Sequence, residues 1–108
     1  MFYVYCLESI KYDELYFGYT NDLKRRFKEH NKGLTFSTKK YAPWKLIYYE
    51  ACLNENDAKR RERYLKTSQG RRMFRKRIKE YILDKYKILK PVGHKLPSTE
   101  KITNESKR

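Results

Sequence analysis

Cysteine is scarce in this chain. The two that occur in 108 residues, Cys6 and Cys52, form no CxxC pair and have no histidine beside them. That argues against a zinc site and for two reduced, buried thiols rather than a disulfide. Long hydrophobic runs are missing as well. None approaches the roughly 20 apolar residues of a spanning helix, and the N-terminus lacks the basic-then-apolar order of a signal peptide. A soluble, cytoplasmic chain with no membrane partner is expected. No internal repeat, recognition-helix motif, zinc finger or aromatic signature of an RNA-binding sheet is present, so sequence-specific reading of bases is not expected.

Acidic residues are in short supply too: thirteen Asp and Glu face twenty-seven Lys and Arg, a net charge of +14. Such a field attracts polyanions and speeds encounters with them, and nucleic acid is the leading candidate ahead of an anionic membrane. The charge is unevenly placed. Residues 1–22 carry a net of −3, whereas residues 57–90 hold fourteen Lys and Arg against Asp57, Glu62, Glu80 and Asp84, a net of +10. The length allows one domain with a modest core. That domain is expected over residues 1–90. From Pro91 to Arg108 the prolines, a glycine and polar residues leave no periodicity, which predicts a disordered basic tail.

Aromatic and β-branched residues are what the chain has in quantity at its start. Phe2–Leu7 and Leu15–Tyr19 read as two strands of an antiparallel hairpin turned at Ile10–Glu14, with Tyr3, Tyr5 and Leu7 on one face. Asn21 or Asp22 then caps a helix in which Leu23, Phe27 and His30 share a side, and Asn31-Lys32-Gly33 closes it. Leu34–Pro43 reads as a loop, and Trp44–Cys52 as a third strand. A second helix starts at Asn54, in a pattern resembling a capping box, and runs to about Lys66. A third begins near Ser68, with Phe74, Ile78, Tyr81 and Ile82 as its apolar stripe and Arg71, Arg72, Arg75, Lys76 and Lys79 exposed. The expected fold is α/β (α+β): a small three-stranded antiparallel sheet flanked by helices.

Helical angles sort the polar residues. At about 100° per residue, setting Leu23 at 0° puts Phe27 near 40°, His30 near −20° and Arg26 near −60°. Arg26 and His30 therefore lie along one edge of the buried stripe, while Lys24, Arg25 and Lys28 do not. In the second helix Ala58, Glu62 and Leu65 fall near 0°, 40° and −20°, which puts a carboxylate inside the only apolar stripe that helix has. A buried acid is costly unless paired. Two readings stand open here: an ion pair with Lys59, Arg60, Arg61, Arg63 or Lys66, or a metal ligand on a rigid element. Tyr5 and Tyr16 likewise read either as core aromatics or as walls of a site, and His30 as a helix-end cation or a functional imidazole.

Together these residues resemble the GIY-YIG nuclease superfamily, and in particular its small standalone branch. Tyr3-Val4-Tyr5 and Tyr16-Phe17-Gly18 stand where the two signature triplets belong, and the segment Gly18–Phe27 is similar to the one that brings in the family's arginine. Ser37-Thr38, Pro43–Tyr48, Ala58–Glu62 and Leu65-Lys66 follow the standalone pattern. Two positions depart from it: Tyr3 replaces the usual glycine, and Gly70–Phe74 lacks the asparagine that some members carry beyond the acid.

The resemblance implies an endonuclease with one group for each task of phosphodiester hydrolysis. Glu62 is expected to hold a single Mg²⁺, with Mn²⁺ as a substitute, since a hard cation that keeps several waters needs few protein ligands. Arg26 is expected to clamp the phosphate. Tyr5 and Tyr16 orient the attacking water, and one of them acts as general base, its pKa of about 10 helped down by cationic surroundings. His30, titrating near neutrality, is a rival for base or phosphate contact. Lys39, Lys40, Arg71, Arg72, Arg75, Lys76 and Lys79 are expected to contact the phosphates of DNA, branched or damaged DNA included. The competing function is a nucleic-acid-binding module that does not cut, or a subunit that cuts only with a partner protein. The sequence sets no oligomeric state.

Overall fold

The computed structural model describes residues 1–89, with side chains to Lys87. The tail expected over residues 91–108 lies outside the described residues. Two compact units divide the chain at Tyr64/Leu65.

In the first unit, β1 (Phe2–Ser9), β2 (Leu15–Thr20) and β3 (Trp44–Cys52) form an antiparallel sheet in the order β2-β1-β3. β1 is the central strand, and Val4, Tyr5, Cys6 and Leu7 are buried in succession, so both of its faces are covered. In the β1–β2 pair Tyr5 opposes Gly18 and Leu7 opposes Tyr16. In the β1–β3 pair Tyr5 opposes Tyr49, and a bulge after Cys6 inserts Ile47 before pairing resumes at Leu7 and Leu46. Ser9 ties the hairpin end: its amide donates to Glu14 O at 3.0 Å and its hydroxyl to Tyr41 O at 2.7 Å.

The helix α1 (Leu23–Asn31) packs Leu23 and Phe27 against Tyr5, Leu7 and Trp44, as its periodicity predicts. Asp22 is its N-cap, accepting the Arg25 amide at 3.1 Å. Its far end is a double-bonded glycine cap. Gly33 takes φ +73, its N–H donates to His30 O at 3.2 Å, and Leu34 N–H donates to Glu29 O at 3.1 Å. Only glycine enters that left-handed region without a Cβ penalty.

The segment expected as a loop contains a short helix, α2 (Phe36–Lys39), because Thr38 is fully buried and anchored on its neighbours. Next, α3 (Glu55–Leu65) starts as expected on Asn54, whose side-chain oxygen accepts the amides of Asn56 and Asp57 at 2.8 and 3.3 Å. It is tied to β3 by a two-pronged ion pair: Arg61 Nε lies 3.1 Å and Nη2 2.9 Å from the two oxygens of Glu50. Cys6 and Cys52 are not joined in a disulfide; Cys6 is buried and Cys52 half-buried.

In the second unit the helix expected from Ser68 is two helices, α4 (Ser68–Arg77) and α5 (Lys79–Leu89), which break at Ile78 (φ −107, ψ 27). The sequence Arg71-Arg72-Met73-Phe74-Arg75-Lys76-Arg77-Ile78-Lys79 sets like charges four apart and adds a β-branched residue, both of which weaken a helix locally. Thr67 caps α4, its hydroxyl accepting Gly70 N–H at 3.0 Å, and Phe74 is buried.

Gly33→Ala is expected to lower the unfolding free energy by about 1–2 kcal/mol through the left-handed backbone it must keep. Urea denaturation should show an earlier midpoint with unchanged slope; an unmoved midpoint would contradict the cap.

Candidate active site

The first unit brings His30 and Arg26 to the Tyr5 hydroxyl, packs the Tyr16 ring beside those of Tyr5 and His30, and leaves Glu62 close enough for its charge to act on Tyr5. Alternation on β1 turns Tyr5 to the α1 side of the sheet, where it is 2 % exposed. Its ring needs the absence of a side chain across the strand pair. A Cβ on Gly18 would meet the Tyr5 hydroxyl oxygen and would lie 2.6 Å from Tyr5 Cζ and 3.1 Å from Tyr16 Cε2. The glycine of Tyr16-Phe17-Gly18 is therefore the seat of the Tyr5 ring.

His30 is fully buried and completes a chain of hydrogen bonds. Tyr5 Oη lies 2.7 Å from His30 Nε2, and His30 Nδ1 lies 2.7 Å from Thr38 Oγ1. Thr38 Oγ1 donates to Thr35 O at 3.4 Å, so it accepts from His30 Nδ1–H; that leaves the Nε2 lone pair to accept the Tyr5 phenol proton. Thr38 is itself held by Trp44, whose Nε1–H donates to Thr38 O at 2.9 Å, and Asn31 bonds both the backbone N–H and the carbonyl of Trp44.

Arg26 stands one turn before His30, with its side chain 32 % exposed. It hydrogen-bonds the Tyr5 hydroxyl and, through Nη1 at 3.1 Å, Glu29 Oε1. Tyr16 is half-buried, its ring centroid 5.1 Å from that of His30 and 6.4 Å from that of Tyr5. Glu62 is half-buried on α3 between buried Ala58 and buried Leu65, where the angular pattern puts it, and its charge acts on Tyr5. Three of its cationic neighbours are engaged elsewhere: Arg61 on Glu50, Arg60 on Asp57 at 2.6 Å, and Lys59 over the Tyr19 ring at 5.9 Å.

Two electrostatic expectations are corrected. Burial pushes the Tyr5 phenol up from its ordinary value, and neighbouring Tyr16 pushes the same way; the Arg26 bond and charge oppose this without prevailing. Cationic surroundings therefore do not ionise Tyr5. His30 does not titrate near neutrality, because burial and then the Arg26 charge hold it down to about 4. At pH 7 it is a neutral imidazole, not a helix-end cation.

The basic residues fare unevenly. Lys39 and Lys40 are exposed, Lys40 lying 5.5 Å from the Tyr41 ring centre. In the second unit Lys79 is exposed as expected, but Arg71, Arg72, Arg75 and Lys76 are half-buried. Sequence spacing assigns no site role to three residues that shape the site. Gly18 stands in the sequence only as part of a triplet, although it opposes Tyr5. Thr38 sits in a segment read as loop. Glu29, three residues after Arg26 on the same helix, was within reach of an (i, i+3) pairing rule.

Among the described residues no group of three or more His, Cys, Asp or Glu gathers as a metal cluster. A helix carboxylate such as Glu62, with no such cluster around it among the described residues, suits a hard divalent ion that keeps most of its water, and does not suit zinc with four protein ligands.

The chain is similar to known proteins over most of its described length. The GIY-YIG catalytic domain matches residues 1–77. A UPF0213 protein of Clostridium perfringens is 43 % identical over 61 % of this chain and 71 % of its own length. One from Limosilactobacillus reuteri is 34 % identical over 82 % of this chain and 90 % of its own length, and one from Pseudomonas aeruginosa is 40 % identical over 73 % and 71 %. No solved structure matches. The chain belongs to the GIY-YIG nuclease family. Nucleases of that family generally use a divalent metal. No helix among the described residues is long and apolar enough to cross a membrane.

The depressed His30 pKa fixes a pH dependence of stability. The unfolded chain takes up the His30 proton below about 6.5, the folded chain only below about 4. Between those values the unfolded state binds more protons, so stability is full above the window and falls as pH drops through it, by at most about 1.4 kcal/mol per pH unit. Urea titrations from pH 7 to 4 should show this slope in the wild type and a flatter one in His30→Gln. Equal slopes, or an imidazole NMR titration centred above pH 6, would refute the assignment.

Proposed function

We propose that this chain is a Mg²⁺-dependent endonuclease that hydrolyses DNA phosphodiester bonds. The observation that carries the reading is the meeting at the Tyr5 hydroxyl of a guanidinium and a neutral imidazole with its lone pair aimed at the phenol proton, within the field of the Glu62 carboxylate on α3.

Each group has one task. Arg26, fixed by Glu29, presents its remaining N–H donors to the non-bridging phosphate oxygens; a planar fork suits that geometry and leaves no proton to lose. Tyr5 stays a phenol at neutral pH, so it works as a relay. Its oxygen takes a proton from the attacking water as its own proton passes to His30 Nε2, and Thr38 holds the imidazole in the tautomer that can receive it. Tyr16, beside both rings, positions the water from the β2 side. Glu62 would hold the Mg²⁺, which when bound neutralises charge on the phosphate and on the departing oxygen. Exposed Lys39 and Lys40, with Arg71, Arg72, Arg75, Lys76 and Lys79 from the second unit, contact backbone phosphates, so affinity falls with salt.

Supercoiled plasmid and a branched duplex, incubated with Mg²⁺ or Mn²⁺ at low salt, should be cut by the wild type. Glu62→Ala and Arg26→Ala should each cut at least about 100-fold more slowly while still retarding the DNA in gels. Equal residual nicking by all three proteins would sink the enzyme reading, and binding without cutting would favour a non-catalytic module or a missing partner subunit.

A further inference from the structure

We propose that the cavity next to Tyr5 is a subsite for one unstacked nucleobase of the strand being cut, an inference that rests on the nuclease reading above. The cavity, about 500 Å³, lies wholly within the first unit. That volume is in the range of small-ligand sites and exceeds what a single base requires.

Its position ties it to the reaction. Tyr49, one wall, is the direct cross-strand partner of Tyr5, so the two side chains leave the same face of the sheet with Cβ atoms about 5 Å apart. Tyr3, the other wall, is two residues before Tyr5 and shares that face. The floor is Leu23, Phe27 and Leu46, the residues that also pack against Tyr5 and Leu7. A strand whose phosphate sits at Tyr5 and Arg26 therefore passes the cavity mouth with a neighbouring nucleotide.

Its chemistry selects the occupant. The Tyr3 and Tyr49 rings stand edge to face, 6.0 Å apart at 65°, above an apolar floor, which presents a π face and an apolar bed to a flat aromatic guest. Tyr49 is 54 % exposed, an uncovered aromatic at a sheet edge in a strongly basic protein. At the rim, exposed Asn21 offers both a donor and an acceptor to a base edge, and exposed Lys24 offers a cation to the adjoining phosphate. The one acid there, Asp22, is already taken up by the amide and guanidinium of Arg25. Stacking on tyrosine is indifferent to base identity, in keeping with a chain that has no base-reading motif. A stacked duplex cannot supply such a base without opening, so the subsite favours single strands, branches and lesions over intact helix.

The test is a binding measurement in EDTA, where nothing is cut. Fluorescence anisotropy should give a labelled single-stranded oligonucleotide about tenfold tighter binding than an abasic chain of equal length and charge, and Tyr49→Ala should shrink that ratio to about twofold or less. Tyr49→Trp should preserve it. Because Tyr49 is exposed, these variants keep the fold, which circular dichroism verifies. Equal affinity of the wild type for both chains, or a preference untouched by Tyr49→Ala, would overturn the subsite. Cleavage of the same oligonucleotides with Mg²⁺ is read separately: base preference without cutting keeps the subsite and counts against a nuclease that acts alone, and cutting without base preference overturns the subsite and keeps the nuclease reading.

Discussion

The buried run of hydrogen bonds from Tyr5 through His30 to Thr38 is the constraint on which the rest of the first unit depends. It joins the central strand, the first helix and the short helix before β3, and each member is at most 2 % exposed. A buried phenol or imidazole left without a partner costs about 1–3 kcal/mol, so the three elements must dock in one register or lose those bonds. That register also sets Arg26 against the Tyr5 hydroxyl, because it stands one helical turn before His30. The contacts that hold α1 on the sheet and those that gather the candidate site are therefore the same contacts.

Close packing reinforces the polar chain from both ends. At one end Gly18 gives way to the Tyr5 ring; any larger residue would displace the hydroxyl that His30 and Arg26 share. At the other, Trp44 donates to Thr38 O and is itself bracketed by the Asn31 amide, so the end of α1, the short helix and the start of β3 are pinned at one place. Rigid support of this kind suits a site whose groups act by fixed orientation.

Much of this was legible in the sequence wherever a periodic rule applied. Alternation put Tyr3, Tyr5 and Leu7 on one face, and the helical angle put His30 and Arg26 at the edge of one stripe and Glu62 within another. The resemblance supplied what periodicity does not, namely that two tyrosines eleven positions apart belong to one site. What escaped depends on distance through space. Thr38 is a short polar residue in an aperiodic stretch, and only the arrival of His30 and Trp44 makes it a buried anchor. Gly18 is only one member of a strand triplet until the register sets it opposite Tyr5. The break at Ile78 is a contest between an apolar stripe that runs on and a row of like charges that weakens the helix, and hydrophobic spacing alone does not decide it.

The protonation of the pair turns on a comparison of magnitudes. The chain carries +14 overall, and Arg26 bonds Tyr5 directly, so a count of charges points to a lowered phenol pKa. Burial acts the other way and is the larger effect, with Tyr16 and Glu62 adding to it. For His30 burial and the Arg26 charge act together, and both favour the neutral ring. The result is two neutral groups sharing one proton across 2.7 Å where the net charge suggested a phenolate. A neutral pair is the cheaper arrangement to bury, and it keeps both the proton to be passed on and the lone pair to receive it. An ionised Tyr5 would instead repel the phosphate that Arg26 is placed to hold. Under the proposed reaction, the burial that makes each group a poor acid or base in isolation is what allows them to work as a couple.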